Sequence, residues 1–231
     1  MSVLSNEYTT MKCMSAMLAM TVATWVAPAW AQSESAEMHV SGSVTAAASC
    51  SISISNGGVV DFGHIPYASL SQSSTTDLGT TTRTATVLCD TPTRFAIGVF
   101  DNRADTLNPS MLSCGHCLGM GSTAAQRPVG FYALEFLDDP IVDGVAQTIM
   151  FSNDLSSWEM FFGNFLTPQD RTPSSNGRKF VAAGSGSPVV IAATTLSIQF
   201  HVHAFLESRD TMAITQPTAI DGSSTLEIIY L

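Results

Sequence analysis

The clearest run of alternating apolar and polar residues goes from Thr195 to Phe205. Leu196, Ile198, Phe200, Val202 and Ala204 fall on one side, and Thr195, Ser197, Gln199, His201 and His203 on the other. Strict period two over that length fits a strand with one buried face and one wetted face; a helix cannot use it. Shorter stretches repeat the pattern. Leu226, Ile228 and Tyr230 alternate with Thr225, Glu227 and Ile229, and Met38, Val40, Gly42 and Val44 alternate with His39, Ser41 and Ser43. Further strands are expected at 59–62, 84–88, 95–100 and 130–137, with a short helix at 156–165. Turn signals separate them: Asn56-Gly57-Gly58, Asn108-Pro109, Asp138-Asp139-Pro140 and Ser174-Ser175-Asn176-Gly177. Short strands joined by such turns predict an all-β sandwich in one domain.

Composition narrows the function classes. Hydrophobic residues make up 45% of the 231, too many for a disordered chain. Charged residues make up only 12%, with 9 Lys+Arg against 19 Asp+Glu, a net charge of −10. That balance excludes nucleic acid as a partner, because phosphate binding needs clustered cations and the longest cluster here is Arg178-Lys179.

The first thirty-odd residues have their own logic. Lys12 precedes an uncharged apolar run over 13–26, followed by Pro28 and Ala29-Trp30-Ala31. A basic flank, a short apolar run and an A-x-A site are the pattern of a secretory signal peptide, and the run is short for a bilayer span. Cleavage is expected after Ala31, with Met11 as an alternative start. The expected organisation is a signal peptide over 1–31, a short extension over 32–37 and the sandwich over 38–231, exported to the periplasm.

Export changes how the cysteines read. Removal of Cys13 leaves Cys50, Cys89, Cys114 and Cys117, an even number suited to two disulfides in an oxidising compartment. Four cysteines allow three pairings. The neighbours Cys114 and Cys117 are expected to pair locally, which leaves Cys50 with Cys89.

Cys114-Gly115-His116-Cys117 also matches the C-x-x-C of thiol–disulfide oxidoreductases. That chemistry needs the first cysteine at a helix N-terminus after a strand, whereas the flanks here read as loop. Metal binding is a third reading. Zinc would need further ligands, and His201 and His203 form an alternating pair, although a wetted strand face explains them as well. His39 and His64 have no sequence-near partner, and Asp138-Asp139 reads as a turn. No phosphate loop, nucleophile elbow or HExxH occurs, so no enzyme, cofactor or metal is expected.

Three features together resemble subunits of chaperone–usher fimbriae. Val40, Gly42, Val44, Ala48 and Cys50 are similar to the pilin opening. Val59-Val60-Asp61-Phe62-Gly63-His64-Ile65 is similar to a pilin segment that precedes the second cysteine, here Cys89. The chain ends in an alternating strand with Tyr230 next to last. The ending from Asp221 to Leu231 also resembles the GltF-like group of exported proteins. The resemblance covers 38–100 and 193–231. It departs at Thr218, where a pilin would carry glycine, and in the short polar lead over 32–37.

The resemblance implies an immunoglobulin-like pilin sandwich lacking its last strand. A periplasmic chaperone would lend a strand, later replaced by the N-terminal extension of another subunit. Leu226, Ile228 and Tyr230 would form the chaperone-binding strand, with the Leu231 carboxylate held by chaperone cations. Met38 and Val40 would be donor-strand anchors. Implied partners are the chaperone, an outer-membrane usher, other fimbrial subunits and a host or surface receptor, at the periplasm, fimbrium or cell surface. One alternative is a complete sandwich with Leu226, Ile228 and Tyr230 in its core. Others are a non-polymerising periplasmic protein binding a ligand through loops at 101–127 and 138–188, and a thiol oxidoreductase at Cys114/Cys117.

Overall fold

The computed structural model describes residues 48–136, 138–160, 165–186 and 188–231. The signal-peptide segment and the candidate donor anchors Met38 and Val40 lie outside the described residues. The first strands are β1 (Cys50–Ile54), β2 (Thr76–Thr93), β3 (Phe95–Asp101), β4 (Leu118–Gly119) and β5 (Gly130–Glu135). Six more follow, none longer than five residues: β6 (Ile141–Val142), β7 (Val145–Ala146), β8 (Thr148–Ser152), β9 (Phe165–Leu166), β10 (Gly177–Arg178) and β11 (Phe180–Gly184). The chain closes with β12 (Ala193–Leu206), the short helix α1 (Arg209–Met212) and β13 (Ser224–Tyr230).

The alternating segment is the spine of the first sheet. β12 runs antiparallel to β2 from Ala193↔Thr93 to Leu206↔Thr76, with register shifts near each end. Leu196, Ile198, Phe200, Val202 and Ala204 are all buried, on the face that the period assigned to them. The sheet order is β1-β2-β12-β5-β9-β10, and the second sheet is β13-β3-β11-β8. Together they form an all-β sandwich. In the immunoglobulin arrangement one sheet is ordered A-B-E-D and the other holds C, F and G. Here β1-β2-β12-β5 follows the A-B-E-D order and β13 lies beside β3 as F lies beside C.

β3 reads Phe-Ala-Ile-Gly-Val-Phe, without alternation, because both of its faces are covered. Phe95, Ile97 and Val99 enter the main core between the sheets. Ala96 joins a second cluster outside the second sheet with Phe180, Ala182 and Val190, against which Leu155, Trp158 and Ile229 pack.

Three expectations are corrected. Residues 59–62 are not a strand: Val60 and Phe62 turn toward the core as a strand's would, but their backbone joins no ladder. The segment then turns at Gly63, at φ +67°, whose N–H donates to Asp61 Oδ1 at 2.7 Å. The stretch 156–165 holds no helix among its described residues; Glu159 bridges to Phe151 and Phe165 opens β9. The stretch 138–188, expected as loop, carries six short strands.

Candidate functional site: an open sheet edge and the groove beside it

β13 pairs with β3 from Ser224↔Asp101 to Tyr230↔Phe95, and no described strand pairs with its other edge. Across the core, β1 is the matching edge of the first sheet. The two edges are tied at one end, where the Cys50 N–H donates to Tyr230 Oη at 3.0 Å.

A groove opens between them. Its first lobe, about 340 Å³, has Phe62, Leu134, Phe200, Val202 and Leu226 among its apolar lining. A second lobe, about 650 Å³, continues past Ile65, Leu70, Val129, Leu206 and Met212, and the two share Val60, Phe62 and Ile220. One wall is the extended chain at 59–66, and the other is the chain over 214–224. Along 214–220 no backbone N–H donates to a described carbonyl, and the next wall residue, Asp221, donates to Met120 O at 3.0 Å. An apolar floor between walls with spare amides and carbonyls accepts an extended strand: side chains fill the floor and backbone bonds supply the rest.

The candidate residues of β13 divide by burial. Leu226, buried at 8% exposure, lines the first lobe, and Ile228 packs against the main core. Tyr230 is 51% exposed and Leu231 46%, and the Leu231 N–H donates to Arg94 O at 3.1 Å. What β13 offers outward is its backbone edge. His64 is exposed on the rim of the larger lobe.

The four cysteines pair as expected. Cys50 and Cys89 face each other across β1 and β2 and are bonded, with Cα atoms 4.0 Å apart. Cys114 and Cys117 are bonded to each other. Cys114 closes the 3-10 helix Pro109–Cys114 and so lies at the negative end of its dipole, opposite to the position that favours a thiolate. His116 Nδ1 lies 2.9 Å from Ser174 Oγ, the ring stacks on Phe165 at 4.3 Å, and burial pushes its pKa below the ordinary histidine value. His201 and His203 lie elsewhere, on the outward face of β12. His203 Nε2 is 2.9 Å from Asp77 Oδ1; the Gly79 N–H, and then His203, hold the Asp77 carboxyl below the usual range. Asp139 accepts the N–H of Ile149 in β8 at 3.0 Å.

Periodicity gave no sign of one further feature. Arg171 donates to Asp101 Oδ2 at 2.6 Å and to the Cys117 carbonyl, with its side chain 10% exposed and that of Asp101 fully buried. The pair ties the cysteine turn to the end of β3.

Two comparisons bear on kinship. The family described as "Protein of unknown function (DUF1120)" matches residues 38–117, from the segment before β1 to the second disulfide. The protein named "Uncharacterized protein YhcF" from Escherichia coli (strain K12) is 30% identical over 213 residues, 80% of this chain and 86% of that protein. With that identity over most of both proteins, the chain belongs to the family of Escherichia coli YhcF.

Proposed function

We propose that the chain is a pilin-like exported subunit, structural or adhesive, whose sandwich is completed by a strand borrowed from another protein. One observation carries this reading: the free edge of β13 beside an apolar groove, in a sandwich ordered A-B-E-D on one side and F-C on the other. In that order the position beyond F belongs to strand G. A strand placed there would pair with β13, cover Phe62, Phe200 and Leu226, and relieve the hazard of an open edge. A periplasmic chaperone would supply it first, and another subunit, delivered through an outer-membrane usher, would replace it. The residues placed for this role are Leu226, Ile228, Tyr230 and Leu231 on the receiving strand, and Met38 and Val40 on the donated one. The two disulfides fit an oxidising compartment.

Co-expression with a periplasmic chaperone of the chaperone–usher class tests the reading. Wild type is expected to co-purify as a stable one-to-one complex, and Leu226→Asp, which places a charge in the floor, is expected to lose it. Soluble, monomeric wild-type protein in full yield without any chaperone would contradict the proposal.

A further inference from the structure

The turn from Cys114 to Cys117 lines neither lobe of the groove, yet residues far along the chain hold it in shape. One ring nitrogen of His116 and the sulfurs of Cys114 and Cys117 lie within 4.8 Å of one another. The His116 ring is fixed from outside the turn, by Ser174 Oγ at 2.9 Å from Nδ1 and by Phe165 stacked at 4.3 Å. Gly115, at φ +71°, is pressed so close that an added Cβ would sit 2.7 Å from Ser174 N and 2.8 Å from Thr172 O. Arg171, paired with Asp101, holds the Cys117 carbonyl. These contacts hold the turn from outside, in addition to the sulfur–sulfur bond.

We propose that Cys114, His116 and Cys117 form a redox-gated site for one zinc-class ion, closed while the cysteines are bonded and open when they are reduced. The Cα atoms are 5.7 Å apart, a separation from which both thiolates can turn onto one ion. Ser174 on Nδ1 leaves Nε2 to coordinate and orients the ring, the usual outer-sphere arrangement for a ligating histidine. The reductant is a dithiol. One of its thiolates attacks the half-buried Cys114 sulfur, forming a mixed disulfide and releasing the more deeply buried Cys117. Its second thiol then displaces Cys114 and leaves as a cyclic disulfide. Two electrons and two protons have passed to the cysteines. Zn²⁺ displaces those two protons to form two Zn–S bonds and one Zn–N bond, with water in the fourth position. Thiol–disulfide exchange with a second protein's disulfide reverses this: that disulfide takes the two electrons and becomes two thiols with protons from water, the Cys114–Cys117 bond re-forms, and the ion is expelled.

Cobalt(II) tests the site, because thiolate ligation gives a charge-transfer absorption in the near ultraviolet. The mature protein is reduced with a phosphine, desalted without oxygen and titrated with Co²⁺, then with Zn²⁺ as competitor. Reduced wild type is expected to bind one equivalent with that absorption and to yield it to Zn²⁺, and oxidised wild type to bind none. His116→Ala is expected to weaken binding at least about ten-fold, in line with the effect of lost ligand support. Cys50→Ser/Cys89→Ser is expected to bind as wild type does, separating this pair from the sandwich disulfide. Uptake by Cys114→Ser/Cys117→Ser, or no uptake by reduced wild type, would overturn the proposal. Uptake indifferent to His116 would overturn the three-ligand set.

Discussion

Asp101 carries more of the architecture than its place at the end of β3 suggests. Its carboxylate accepts the Arg103 N–H at 2.9 Å, the Gly119 N–H at 3.0 Å and the Arg171 guanidinium. Replacing one partner of a buried ion pair leaves the other charge uncompensated, which costs roughly 3–5 kcal/mol. Arg171→Met is therefore expected to lower stability by about that amount, read as a shift of the urea midpoint. The ion pair of Arg103 with Asp221 has side chains 37% and 59% exposed, and solvent screens it. Arg103→Ala is expected to cost about 1 kcal/mol or less. Equal effects in the two variants would contradict this ranking. Neither pair is legible in the sequence. Arg171 and Asp101 are 70 residues apart, and neither periodicity nor a motif links them. The cysteine turn was visible as a motif, but its anchors Phe165, Ser174 and Arg171 were not.

At the scale of elements, the longer strands were the legible ones, β12 with one wetted face and also β3, covered on both and expected at 95–100. β12 emerged with its buried side correct because one of its faces meets water. The segment at 59–62 has the same outward signal and is no strand, since alternation reports which way side chains point and says nothing about a backbone partner. β8 and β11 escaped notice because both are short and neither alternates: β8 reads Thr-Ile-Met-Phe-Ser, and β11 carries Ala and Gly and is buried throughout.

Two predictions belong to this scale. The Cys50–Cys89 bond closes a loop with a sequence separation of 39, worth roughly 4 kcal/mol of unfolded-chain entropy, against about 2 kcal/mol for the separation of 3 at Cys114–Cys117. Denaturation of the two double-serine variants is expected to show the sandwich pair as the costlier loss, and the reverse order would contradict the account. The second concerns acid. In the turn after β8, Asp154 accepts the N–H groups of Ser157 at 2.8 Å and Ser156 at 2.9 Å, and these bonds hold its pKa down to about 2. A depressed folded-state pKa gives stability that is whole above the ordinary carboxylate value and lost as pH falls through the folded one. Asp154→Ala is expected to be less stable than wild type at pH 7, and the two urea midpoints are expected to converge as pH approaches about 2. A gap that persists unchanged to pH 2 would rule out this cap as the cause.

For the whole molecule, the fold class was readable from periodicity, whereas a missing last strand was suggested by the resemblance to pilins alone. Leu226, Ile228 and Tyr230 announced a strand, but a finished core and a core awaiting a strand alternate identically. The second wall of the groove, over 214–224, has no period and draws its meaning from the strands beside it. Leu226 lines the groove and Ile228 packs against the core, so the backbone edge of β13 is the surface that a partner strand would engage. Side-chain changes at Tyr230 are thus expected to weaken chaperone capture less than Leu226→Asp in the floor, a ranking that pull-down yields can check.

The central claim is that this sandwich lacks a strand that another protein supplies. Its most direct test is thermal unfolding of the mature protein freed from its chaperone, alone and with a saturating peptide of residues 32–43 or with the chaperone. A ligand that binds only the folded state raises its stability by mass action. The account predicts a weak, poorly cooperative transition for the lone protein, a large upward shift with chaperone and a smaller one with the short polar-led peptide. A cooperative, high-temperature transition in the lone monomer, unmoved by either addition, would show that the sandwich is already complete.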